Sequence, residues 1–196
     1  MSLPAVFARA LRLGRFETAG FSRGGFPLSC SAWLPRMKHP LLVALPIYAL
    51  DQLTKWWVVT HLPFESEHAV IPGFFDLVYY GNTGAAFGSF KNSNLFFIVL
   101  SVATFVGLLI AWHRGALRDR LHAWGTGLLM GGILGNVTDR FLHQHVVDFL
   151  LFNLHVPFAD PWPAFNVADS AICIAVGCYL LASFLEAREE RRRRPA

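Results

Sequence analysis

Four stretches of this chain are apolar over lengths that suit a membrane-crossing helix, which needs about 20 mostly apolar residues. Residues 95–112 carry no charge at all, and residues 167–185 carry only Asp169 near the start. Residues 123–138 are shorter and rich in glycine, leading into Asp139 and Arg140. Residues 41–60 are the most compromised, because Asp51, Gln52 and Lys55 fall among them. Trp56 and Trp57 suit an interfacial belt, and the half before Asp51 is uniformly apolar, so this stretch is also read as a span. The pattern predicts an integral membrane protein, mainly α, of four transmembrane helices.

The intervening stretches have a different rhythm. Residues 74–80, Phe-Phe-Asp-Leu-Val-Tyr-Tyr, have the aromatic and β-branched character of a strand, and Gly81-Asn82-Thr83-Gly84 reads as a turn. A small β-rich cap on the outer face is therefore expected. Residues 140–166 hold Asp148 and a stretch with Pro157, Pro161 and Pro163 that reads as loop. Connections this long are usually functional or disordered, and their aromatic density argues against disorder.

Composition agrees with a membrane protein. Hydrophobic residues make up 54% and mean hydropathy is +0.42. Charged residues are 15%, against roughly 25% in soluble domains. Three cysteines make no disulfide framework and have no zinc-finger spacing; Cys173 and Cys178 lie in an apolar run and read as small hydrophobes. Of the 17 Lys and Arg, six lie in residues 1–39, three in 113–122 and five after residue 185. The two other connections hold only Lys91 and Arg140, so the positive-inside rule places both termini in the cytoplasm. The run at 191–194 then reads as a juxtamembrane anchor on the lipid bilayer, with no nucleic acid as partner.

Three regions follow. Residues 1–37 form an Arg-rich, acid-poor extension of the kind seen in transit peptides, or a stretch upstream of a start at Met37. Residues 38–186 form the membrane domain, and 187–196 a basic tail.

The polar residues inside this apolar framework are the candidate chemistry, since an ionisable group beside hydrocarbon is costly unless something requires it. Asp51 and Lys55 are four apart and share a helix face, as do Asn136 and Arg140, with Asp139 on an adjoining face. Arg140 can clamp a carbonyl or a carboxylate. Gly127, Gly131 and Gly135 make a small-residue stripe that permits close helix approach below Asn136. Asn166 and Asp169 stand at the start of the last span, where a cap and a dipole partner are expected. Capping alone does not explain why Asn82, Asn136, Asp139, Arg140, Asp148, Asn166 and Asp169 all fall at one membrane depth. Two acids on neighbouring elements, Asp148 and Asp169, suggest an aspartyl dyad that shares one proton and activates a water.

Five blocks carry a resemblance: Asp51-Gln52-Leu53-Thr54-Lys55; Asn82-Thr83-Gly84-Ala85-Ala86-Phe87; the segment 131–140 ending in Asn136-Val137-Thr138-Asp139-Arg140; Val146-Val147-Asp148-Phe149; and Phe165-Asn166-Val167-Ala168-Asp169-Ser170. In this order, over residues 38–186, they resemble signal peptidase II, the lipoprotein signal peptidase of bacteria. The resemblance implies that Asp148 and Asp169 are the catalytic pair, with Asp51, Lys55, Asn82, Asn136, Asp139, Arg140 and Asn166 binding or supporting. It further implies a monomeric aspartic endopeptidase of the inner membrane that needs no metal or other cofactor. Its substrates would be diacylglyceryl-modified prolipoproteins, cleaved before the lipidated cysteine near the outer leaflet. The extension 1–37 has no place in the family pattern, and the connection between the last two blocks is somewhat long.

Two other readings stand beside it. His143 and His145, with Asp148 and His155 nearby, offer donors for a metal-dependent membrane hydrolase. Asp51 and Lys55 within the membrane would alternatively serve a non-enzymatic carrier. Glycines 73, 81, 84 and 88 give the connection 61–94 the freedom of a movable cap.

Overall fold

The computed structural model describes residues 40–84, 93–115, 119–156 and 160–193. The extension 1–37, Gly88 and Pro157 lie outside the described residues.

Among the described residues, four long helices and four short strands follow one another in the order helix, two strands, two helices, two strands, helix. Helix α1 covers Leu41–His61, followed by strands β1 (Glu67–Ile71) and β2 (Phe75–Asn82). Helices α2 (Asn94–His113) and α3 (Arg120–Leu142) come next, then β3 (Val146–Phe152), β4 (Trp162–Phe165) and α4 (Val167–Arg193). Each helix overlaps one of the four apolar stretches. Two of them, α2 and α4, are long and apolar enough to cross a membrane.

Helix α3 is the centre of the bundle, packing against α1, α4 and α2. Its glycines make this possible. A Cβ on Gly131 would lie 2.7 Å from the Ala44 carbonyl of α1, and one on Gly132 would lie 2.6 Å from the Ala168 carbonyl of α4. Two faces of α3 thus meet two neighbouring backbones at contact distance, which only the absence of side chains allows. By contrast α2 buries no residue at all, and Leu95, Phe96, Val99 and Leu100 point outward. A helix with such a surface requires an apolar environment around it.

The strands form one antiparallel sheet in the order β1-β2-β3-β4. Val58 of α1, Tyr79 of β2 and Val147 and Phe149 of β3 form a shared core that seats the sheet on the helices.

Several expectations need correction. The strand foreseen at 74–80 runs from Phe75 to Asn82, so Gly81 and Asn82 end a strand and do not make a turn; β3 pairs with both and holds them extended. The connection 140–166 is largely regular: α3 continues to Leu142, Asp148 sits in β3 and not in a loop, and Pro163 lies inside β4. Proline is compatible with that strand because β4 is at the sheet edge. Strand β1 was not anticipated, since all five of its residues are exposed and it shows no alternation. The basic tail begins as helix, with α4 continuing through Arg193.

Candidate active site

Asn166 ends β4's approach to α4 and caps that helix. Its Oδ1 accepts from the Asp169 backbone N–H at 2.9 Å, while Asp169 Oδ2 accepts from the Asn166 N–H at 3.3 Å. This reciprocal arrangement is a capping box. It fixes the Asp169 carboxylate at the first turn, and the other oxygen, Oδ1, accepts from Asn136 Nδ2 of α3 at 2.7 Å.

Asp148 approaches from the sheet. The register opposes Tyr80 to Asp148 and Asn82 to Val146, which makes Asn82 the diagonal neighbour of Asp148 on one face. Asn82 Nδ2 donates to Asp148 Oδ2 at 3.0 Å, and Asn166 Nδ2 donates to Oδ1 at 2.8 Å. Asp148 is 3% exposed and Asn166 fully buried. Burial first, and the charge of Asp169 second, push the Asp148 carboxyl up to about 7, against the two asparagine donors that pull it down. Asn166 therefore touches both carboxylates, and the two titrate as a pair.

Below this pair lies a closed ionic cluster. Lys55 Nζ meets Asp51 Oδ2 at 2.8 Å, Asp139 Oδ2 at 2.7 Å and Asn136 Oδ1 at 3.0 Å. Asp51 Oδ1 accepts from the Ala168 N–H at 2.8 Å, and Asp139 Oδ2 accepts from the Val147 N–H at 3.1 Å. Each carboxylate thus grips the backbone residue immediately preceding one of the paired aspartates, Ala168 before Asp169 and Val147 before Asp148. Lys55 also orients the Asn136 carbonyl, which leaves the Asn136 amide aimed at Asp169. A buried ion group of this kind is tolerable only with its remaining hydrogen bonds made.

Arg140 stands on the opposite side, its Nη2 donating to the Gly84 carbonyl at 3.3 Å and its guanidinium 5.0 Å from the Phe97 ring centre. All nine residues singled out in the sequence, Asp51, Lys55, Asn82, Asn136, Asp139, Arg140, Asp148, Asn166 and Asp169, are brought together. Sequence reasoning missed Gln52, whose Nε2 donates to Asp139 Oδ1 at 3.0 Å, and Asn94, whose Nδ2 donates to the Arg140 carbonyl at 3.3 Å. Gln52 stood inside the first family block; Asn94 had no signal beyond its place at the start of a span.

A cleft of about 590 Å³ opens over these groups, within the size range of ligand pockets. Asn82, Asn136, Arg140 and Asp169 supply its polar part, and Phe97, Ile172 and Ile174 belong to its apolar walls. Asp169 lines this cleft, and Asp148 is buried behind it against Asn82 and Asn166, a pair of carboxyls of the kind suited to general acid–base hydrolysis.

The residues of the metal reading do not converge. Among the described residues, the one grouping of three possible ligands is Asp119, His122 and Glu186, at the far end of α3 and α4. His155 instead bonds Gly73 and Asp160, while His145 packs near Phe64. For the carrier reading, Asp51 and Lys55 are both buried and paired with each other, and Lys55 is further engaged with Asp139.

Two solved structures place the protein in a class. Both are described as bacterial membrane enzyme structures. One has a TM-score of 0.70 and 28% identity, covering 80% of this chain and 93% of its own. The other has 0.64 and 30%, covering 73% and 90%. Residues 43–185 match the signal peptidase (SPase) II family. Lipoprotein signal peptidases from Symbiobacterium thermophilum, Syntrophotalea carbinolica and Neisseria meningitidis serogroup C are 42%, 44% and 39% identical. These alignments cover 72%, 77% and 77% of this chain and 90%, 94% and 92% of the relatives. The chain belongs to the signal peptidase II family and is an integral membrane endopeptidase of the aspartic type.

Proposed function

We propose that this protein removes the signal peptide from diacylglyceryl-modified prolipoproteins, cleaving before the lipidated cysteine by water activated between Asp148 and Asp169. The observation that carries the reading is the buried Asn166, whose side-chain amide donates to Asp148 Oδ1 and whose backbone N–H donates to Asp169 Oδ2. Two carboxyls held this way do not readily ionise together, so the pair retains one proton near neutral pH. The ionised member takes a proton from water as general base. The protonated member polarises the scissile carbonyl and later supplies the proton that the departing amine needs.

The other residues hold this pair. Asn82 and Asn136 each donate to one carboxylate, and Asp51, Lys55 and Asp139 fix the backbone beneath them. Arg140 holds the Gly84 carbonyl at the rim of the cleft. The apolar walls suit acyl chains that enter sideways from lipid.

All four helices are assigned as spans of the inner membrane, with both termini cytoplasmic, the sheet on the outer face and the dyad near the outer leaflet. The positive-inside distribution of 14 of the 17 Lys and Arg supports this orientation. Residues 38–186 act as the catalytic domain of a monomer, so a chain beginning at Met37 is expected to insert and cleave as the full chain does. The decisive test is gel-shift cleavage of a diacylated prolipoprotein by the purified protein. Cleavage insensitive to EDTA supports the reading; absence of cleavage, or its loss on chelation, contradicts it.

A further inference from the structure

The following rests on the peptidase reading proposed above. The two aspartates of the pair come from different elements, β3 and the start of α4, so their spacing depends on what ties those backbones together. Asp139 holds the Val147 N–H, and Asp51 holds the Ala168 N–H. Any group that fixes Asp51 against Asp139 therefore fixes the residue before Asp148 against the residue before Asp169.

Lys55 is one such group, but its ammonium pairs with the Oδ2 atom of each carboxylate. One positive charge then serves two buried carboxylates, whose other acceptor positions need donors of their own. Gln52 of α1 supplies one. Its Nε2 lies 3.0 Å from Asp139 Oδ1, 3.2 Å from Asp51 Oδ2 and 3.3 Å from the Gly135 carbonyl. An amide nitrogen has two N–H donors. One is directed to Asp139, and the other is shared between Asp51 and the Gly135 carbonyl.

The bond to Asp139 Oδ1 is the consequential one. Among the described residues, Oδ2 of Asp139 takes both Lys55 and the Val147 N–H, and Gln52 is the donor to Oδ1. The terminal torsion of an aspartate is broad, so a carboxylate held through one oxygen alone turns easily. With both oxygens engaged, the acceptor offered to Val147 stays in place. Gln52 is not among the residues that line the cleft, so this action falls on the pair and not on bound substrate.

We propose that Gln52 is a positioning residue for the cleavage: its side-chain amide locks the Asp51 and Asp139 carboxylates in one relative orientation, and through Ala168 and Val147 that orientation sets the spacing of Asp169 and Asp148. Lys55 provides the charge of this tie and Gln52 its direction.

The test compares the full-chain enzyme with Gln52→Met and Gln52→Glu, using diacylated prolipoprotein in detergent micelles and the folded fraction from circular dichroism. Gln52→Met keeps an unbranched side chain of similar length but has no donor. Gln52→Glu keeps the shape, has no donor when ionised and regains one O–H when protonated. Per folded molecule, kcat of Gln52→Met is expected to fall about five- to tenfold at unchanged KM, the scale of one lost hydrogen bond. Its deficit relative to the parent enzyme is expected to be the same at every pH, whereas that of Gln52→Glu shrinks as pH is lowered. If Gln52→Met does not fold, the pH dependence of Gln52→Glu decides. Parental kcat in folded Gln52→Met, a raised KM in place of a lowered kcat, or a Gln52→Glu deficit that does not change with pH overturns the positioning role and leaves the peptidase reading intact. Failure of the parent enzyme to cleave overturns both.

Discussion

Asn166 Nδ2 donates to Asp148 Oδ1 across 2.8 Å, and this bond joins the first turn of α4 to strand β3. Asn166 is also the cap that holds Asp169, so one side chain sets the spacing of the pair. Asn166→Ala is expected to lower kcat by one to two orders of magnitude and to cost about 1–2 kcal/mol in stability from the lost cap. Thermal unfolding and turnover measured on the same preparation check this. Full activity in a destabilised variant would remove Asn166 from the positioning role.

The pH dependence has a defined sign. Asp148 is raised from an ordinary 3.8 to about 7, so the pair loses its last proton as pH rises through about 7, and activity declines there. Asn82 donates to this carboxylate and favours its charged form. Asn82→Ala removes that preference and moves the alkaline limb of the rate profile to higher pH, by about one pH unit if a charge-assisted bond is lost. The stability contribution of this group is full below pH 3.8 and lost through about 7, because the folded state binds the proton more tightly. Asp148→Asn should flatten the fall of Tm over that window. An alkaline limb that moves downward in Asn82→Ala would reverse the assignment.

The ionic cluster under the pair is support. Asp139 accepts from Lys55, Gln52 and the Val147 N–H. Asp139→Asn leaves Lys55 with a single carboxylate in a buried setting. The expected loss is about 3–5 kcal/mol, the range for breaking one side of a buried pair, with a smaller effect on the chemical step of the molecules that remain folded. Tm and single-turnover rates separate the two. A fully stable variant that binds substrate but is chemically dead would contradict this division.

Helix contact is tested by glycine. Gly131→Ala would place a Cβ 2.9 Å from the Ile47 Cβ as well as against the Ala44 carbonyl, while a Cβ on Gly107 of α2 meets nothing within 4 Å. The first substitution should cost about 1–3 kcal/mol through overpacking, and Gly107→Ala should be close to neutral or slightly stabilising. Equal effects in thermal unfolding would contradict the packing described for α3.

The helices were legible because long apolar runs interrupted by a few polar residues have few other solutions. The polar constellation was legible through helical spacing: Asp51 with Lys55, and Asn136 with Arg140. The sheet was harder to read. Strand β1 is exposed throughout and carries no alternation, and β4 contains a proline that reads as loop until its edge position is known. Gln52 and Asn94 were missed because their partners, Asp139 and the Arg140 carbonyl, lie on another helix, and no spacing within one segment reveals them. Both roles of Asn166 and Asp169, cap and candidate chemistry, were legible from their spacing at the start of the last span, but the reciprocal bonds between them were not.

The central claim is that Asp148 and Asp169 together perform the cleavage. Its most direct measurement is gel-shift turnover of a diacylated prolipoprotein by the purified protein beside Asp148→Asn and Asp169→Asn, with folding checked by Tm and circular dichroism. An amide is nearly isosteric with the carboxyl but cannot act as a base. Each variant is therefore expected to remain folded and to lose at least the ~10²–10⁴ that general acid–base catalysis contributes. Near-normal turnover by either folded variant would contradict the account.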